Sequence, residues 1–152
     1  GAKVAIIDYW TENGKLPEVA YPGTGKPPKD SYHYQFKPTH NVKRMEIGTA
    51  SDTDADSALV RIYYGGKNKT LEDLGPVVGL IPGFGKINGI TGVPESVLAG
   101  IGGSGGAQKN PLGGGSIVWG CIVSGASKTK SFRKLSKYVP SRCRYQSSTL
   151  PN

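Results

Sequence analysis

The chain has 152 residues, enough for one domain with its own core, and a formal net charge of +8. Its 23 glycines and 11 prolines imply many turns and long loops around a modest core, short of a disordered low-complexity composition. No apolar run is long enough to span a bilayer, and no signal peptide is legible, so these residues contain no helical membrane anchor.

Residues 2–13 read as a helix. Ala2, Ile6 and Tyr9, with Val4, Ile7 and Trp10 one step round, make a wide apolar face opposite Lys3, Asp8 and Glu12. Asn13 and Gly14 stop it, and Pro17 bars its continuation. No capping side chain precedes Ala2, so the helix is expected to be the lower part of a longer one. Residues 14–41 read as a long loop. Within it Ser31 to Phe36 alternates like a short strand, with Tyr32, Tyr34 and Phe36 on one face; packing against the helix is the expectation, stacking on bases or sugars the alternative.

Strands follow at Val42–Gly48, Ala58–Gly65 and Val77–Ile81. Asp52, Asp54 and Asp56 resemble the opening of a calcium loop, but Ser57 and Tyr63 stand where its Gly and Glu belong, which leaves a solvated turn. Thr70 to Leu74 resembles a capping box opening one helical turn. Residues 82–115 read as a glycine-rich surface loop, with a short helix at Val93–Ala99. Ser104 sits in a formal G-x-S-x-G, but no strand precedes it and no helix follows. His33 and His40 are seven residues apart in a loop, share no face and pair with no nucleophile.

A fourth, buried strand leads through Ile117, Val118 and Trp119 to Cys121, and Cys143 follows a Pro140–Ser141 turn. The cysteines read as a disulfide closing a loop. The alternative is two free thiols in a cytosolic protein, although the spacing fits neither CxxC chemistry nor a zinc knuckle. An oxidised pair implies the periplasm, the cell surface or the exterior, and a removed export segment. Charge gathers here. Residues 1–95 hold 11 Lys/Arg and 11 Asp/Glu, whereas residues 96–152 hold 8 Lys/Arg and no acid. Such a cluster either attracts polyanions or simply solubilises a loop.

Two ends of the chain resemble a type IV pilin of the a-class lacking its N-terminal transmembrane half-helix. Ala5-Ile-Ile-Asp-Tyr-Trp-Thr-Glu-Asn-Gly-Lys-Leu-Pro17 is similar to that family's helix ending in an aromatic pair, then Asn-Gly-x-x-Pro. Ile117-Val-Trp-Gly-Cys121 with Lys137-Tyr-Val-Pro-Ser-Arg-Cys143-Arg144 is similar to its W-x-C … K-Y-[LV]-P-x-x-C-R ending. The middle is matched only by element order. The family's Phe-Thr-Leu-x-Glu signature does not occur in these residues, and the stretch 82–115 is longer than the family needs.

The resemblance implies an α+β pilin fold in a single domain, 1–152. The amphipathic helix 2–13 would pack on a four-stranded antiparallel sheet (strands near 43–49, 59–65, 77–82 and 116–123). A disulfide-bounded loop, 121–143, would precede the tail 144–152. It implies a non-enzymatic, cofactor-free fibre subunit for cell adhesion, twitching motility and DNA binding or uptake. That subunit is anchored in the inner membrane through its N-terminal helix before assembly into an extracellular pilus. Cys121 and Cys143 would form the bridge. Ala2, Ile6, Ile7, Tyr9 and Trp10 would be the subunit-packing helix residues. Lys128, Lys130, Arg133, Lys134, Lys137, Tyr138, Pro140 and Arg142 would meet a host-cell receptor, a glycan or DNA. The alternatives are a minor pilin, a secretion pseudopilin, or a small secreted hydrolase using Ser104 or a histidine.

Overall fold

The computed structural model describes residues 1–49, 58–97, 116–124 and 132–145. Helix α1 (Ala2–Asn13) is followed by strands β1 (Val42–Ile47) and β2 (Val60–Tyr64), helix α2 (Lys69–Leu74), strands β3 (Val77–Gly83) and β4 (Val118–Ser124), and helix α3 (Phe132–Ser136). A 3-10 turn at Ser141–Cys143 comes last. The strands form one antiparallel sheet in the order β1-β2-β3-β4, so the expected α+β architecture is present.

The two faces of the sheet follow from the period of two and the observed register. Met45, Ile47, Val60, Ile62, Tyr64, Val78, Leu80, Trp119, Cys121 and Val123 share the front face. Helix α1 closes one end of it: Ala2 and Ile6 are buried in one cluster with Leu16, Tyr21, Tyr32, Phe36, Ile47 and Val60. The buried stripe is narrower than the six-residue apolar face read from the sequence. Tyr9 and Trp10 are half-buried against the cluster, and Val4 is 56% exposed. An α-helix rotates about 100° per residue, so a side chain two places from a core position faces water. Gly14 ends α1 in a left-handed conformation, φ 67, with its N–H bonded to the Trp10 carbonyl.

The segment after α1 forms no strand. The aromatic alternation at Tyr32 and Phe36 serves burial, not sheet pairing: both rings are in the core, and Tyr32 Oη donates to the Gly48 carbonyl at 2.7 Å. Tyr21 organises this segment. Its fully buried hydroxyl donates to the Gly25 carbonyl at 2.8 Å and accepts from the Phe36 N–H at 2.7 Å. Tyr21→Phe removes that acceptor and leaves a buried N–H unpaired. Chemical denaturation of the variant is expected to show a loss of about 1–3 kcal/mol. The segment also pairs with β1, through Met45 N to Gly23 O and the Tyr21–Ile47 bridge, and so covers an edge that would otherwise be open to other chains.

The back face carries the next departure. Residues 84–97 are not a simple surface loop: Val93 and Val97 are buried with Leu59, Ile81 and Ile122 beneath the sheet. Gly120 lets this segment approach, since a Cβ there would lie 2.6 Å from the Gly92 carbonyl oxygen. The expected helix at Val93–Ala99 appears as a helical turn over residues 95–97, next to an Ile87–Pro94 bridge; residues 98–115, with Ser104, are outside the described residues, as are Asp52, Asp54 and Asp56. The β1–β2 half of the back face is polar. There Arg44 lies 4.0 Å over the Tyr63 ring, and Tyr63 Oη donates to Glu46 Oε2 at 2.9 Å.

Helix α2 begins earlier than the expected capping box. Asn68 is the cap, its Oδ1 accepting from the Leu71 N–H at 3.1 Å. Glu72 instead reaches back beyond the helix, accepting from the Gly66 N–H at 2.7 Å and from Lys43 Nζ at 3.0 Å. The Gly66 N–H first, and then Lys43, hold its carboxyl below the usual carboxylate range. A lowered folded pKa gives stability that is complete above the unfolded pKa and is lost as pH falls through the folded one. Glu72→Gln is therefore expected to flatten the acid limb of a Tm-against-pH profile below the usual carboxylate range, with no change in its neutral slope.

Candidate functional site

The carboxy-terminal part of the chain folds onto the front face beside α1. Cys121 on β4 is joined to Cys143 in the 3-10 turn across a sequence separation of 22, with Cα atoms 4.5 Å apart. No free cysteine remains. Both half-cystines are buried, in a cluster with Val78, Val123, Leu135 and Val139. Leu135 of α3 is fully buried, so a basic segment that reads as solvated from its charges is pinned by one apolar side chain from within. Pro140 precedes the 3-10 turn, and Arg144 Nη2 donates to the Val139 carbonyl at 3.4 Å. Beyond the turn, the Val123 N–H donates to the Tyr145 carbonyl at 2.7 Å and the Cys121 N–H to the Gly92 carbonyl at 3.2 Å, which occupies the outer edge of β4.

This scaffold turns its charges outward. Arg133, Lys134, Lys137, Pro140 and Arg142 are exposed, and Tyr138 is 44% exposed. Lys128 and Lys130 fall outside the described residues. Of the proposed helix contacts, Ala2 and Ile6 are committed to the domain's own core, and Ile7 is half-buried. The outward strip of α1 consists of Val4, Asp8 and Thr11, spaced as neighbours on one helical face.

Between α1 and the disulfide turn the front face is left partly uncovered. A groove of about 490 Å³ runs over Ile62, Val78, Leu80 and Trp119, with Lys3 on one rim and Arg142 on the other. Lys3 Nζ sits 5.1 Å above the Trp119 ring. Burial first, and then the charge of Arg142, lower the Lys3 pKa. Among the described residues no carboxylate lines this groove, so its chemistry there suits an apolar occupant carrying negative charge near its rim. Sequence reading missed the Lys3–Trp119 pairing, because contacts between α1 and β4 leave no local pattern. The available signal was the alternation that puts Trp119 on the same face as Cys121.

Among the described residues no group of three His, Cys, Asp or Glu is placed to hold a metal. His33 lies against Tyr9, ring centroids 6.1 Å apart, and the His40 carbonyl accepts from the Asn68 N–H. The two histidines thus lie on different parts of the molecule. Comparison of the chain with protein-family models, curated proteins and solved structures found no match.

Proposed function

We propose that this chain is the globular domain of a type IV pilin, a structural subunit that polymerises into an extracellular fibre. The reading is carried by one observation: the Lys137-Tyr-Val-Pro-Ser-Arg-Cys143-Arg144 ending is tied by a disulfide to the last strand of a four-stranded antiparallel sheet that follows a single N-terminal helix. The apolar groove beside the first turn of α1 supports it, since a longer helix, as the sequence resemblance implies, has apolar surface next to it there. In this reading the helix anchors the subunit in the inner membrane before assembly and packs with other copies in the fibre, and the chain performs no catalysis.

The test is assembly. The full-length protein expressed in a pilin-deleted, otherwise piliation-competent bacterium is expected to restore surface fibres that bind antibodies raised against this domain, seen by immunogold electron microscopy. Export and processing without labelled fibres would overturn the proposal.

The exposed Arg133, Lys134, Lys137 and Arg142 serve adhesion to polyanions, DNA among them. Replacing all four by Ala is expected to reduce the slope of log affinity against log salt for duplex DNA by about 3–4, at roughly 0.9 per phosphate contact. Filter binding over a salt series reads this directly, and an unchanged slope would remove DNA as a ligand of this surface.

A further inference from the structure

We propose that the groove between α1 and the disulfide turn binds a single-chain anionic amphiphile, a long-chain carboxylate. Its alkyl chain would lie along the sheet, with the carboxylate between Lys3 and Arg142. The floor is apolar and only partly covered: Ile62, Leu80 and Trp119 line it and are half-buried, and Val78 lies among them. Contiguous apolar surface left open on a folded domain marks a contact site, where a solitary exposed side chain does not.

Two cations come to this groove with no acid to meet them. Among the described residues neither Lys3 nor Arg142 makes an ion pair, and no carboxylate lines the groove. They arrive from opposite ends of the chain, Lys3 on the first turn of α1 and Arg142 in the 3-10 turn. Lys3 Nζ is placed over the apolar floor, 5.1 Å from the centre of the Trp119 ring. Burial first, and then the charge of Arg142, disfavour its ammonium, so the two positive groups are close enough to repel. An anion seated between them removes that repulsion. A carboxylate does so with two oxygens that match the guanidinium fork of Arg142.

Size and charge select among occupants. At about 490 Å³ the groove falls within the range of small-molecule sites. Its lining is far short of the roughly 20–30 residues that each side of a stable protein interface presents. A second copy would also bring a further net charge of +8 against the two rim cations. A flat bilayer meets the rims before it meets the floor, and a small inorganic anion leaves the floor in water. A single alkyl chain with an anionic end uses both. The inference stands on the domain alone, so its failure leaves the fibre reading untouched, and the reverse also holds.

Calorimetric titration of the 152-residue chain with octanoate, nonanoate and decanoate, each below its micelle concentration, tests it. Saturable one-to-one binding is expected, tighter by about three- to four-fold for each added methylene. The Trp119 indole N–H signal should shift on binding in nitrogen-resolved NMR spectra. Arg142→Gln and Lys3→Gln are each expected to weaken decanoate binding about five-fold, with Tm unchanged in Arg142→Gln because that side chain is exposed. Leu80→Trp fills the floor and is expected to abolish binding; should it fail to fold, Arg142→Gln still decides. Decyltrimethylammonium, the same chain length with the opposite charge, is expected to bind about ten-fold more weakly. No saturable binding of decanoate overturns the proposal, as does an affinity indifferent to chain length, to head-group charge or to Arg142→Gln. Two further outcomes overturn it by naming another occupant. Retention on phosphatidylglycerol vesicles without binding of monomeric decanoate makes this face a bilayer contact. A dimer in sedimentation velocity that Leu80→Trp dissociates makes it a contact between copies.

Discussion

Replacing Cys121 and Cys143 together by Ser is expected to lower the unfolding free energy by about 3 kcal/mol and Tm by roughly 10 °C. The bridge spans 22 positions, and opening it restores to the unfolded chain the freedom of a loop of that length. The native state loses little by comparison, because Leu135 and Val139 still have Val78 and Val123 to pack against. Calorimetry of the double variant beside wild type with and without dithiothreitol checks this. Reduced wild type should match the variant within about 1 kcal/mol, and a variant as stable as the oxidised protein would show that the link does not hold the turn to β4. The consequence reaches the surface: Pro140 and Arg142 lie just before the half-cystine Cys143, so with the bridge open the groove's far rim loses its fixed position.

Ile6→Ala is expected to cost about 3 kcal/mol, within the usual range of 2–5 kcal/mol for truncating a fully buried isoleucine. Ile6 is fully buried in one cluster with Ile47 and Val60, and close-packed surroundings relax only partially into the hole that truncation leaves. The matched control is Val4→Ala on the same helix, which at 56% exposure should change stability by less than about 0.5 kcal/mol. Urea titrations of both variants decide the orientation of α1. Equal losses would mean that the helix buries a different stripe.

Helix α1, the four strands and the placement of both cysteines were legible because each rests on a local rule. Apolar residues recur at the helical or strand period, Gly14 and Pro17 punctuate, and β-branched runs end at turns. The same rules misled wherever a residue had two uses. Tyr32 and Phe36 alternate like a strand, but they alternate because the core needs two rings from an irregular segment. Val93 and Val97 sit in glycine-rich chain that reads as solvent-facing, yet Gly120 opposite them opens room for a second layer. At α2 the cap went to Asn68, two residues before Thr70, because its Oδ1 accepts from the Leu71 N–H and so satisfies a donor of the first turn.

The candidate sites divide along the same line. Composition alone placed the whole net positive charge after residue 95, and the cysteine spacing framed the turn that displays several of these side chains. The groove was decided by tertiary structure. Lys3 and Trp119 are 116 positions apart, and no local pattern relates them. Periodicity reports which way a side chain leaves its own backbone. Only the packing of α1 and the disulfide turn on one sheet face fixes what it meets there.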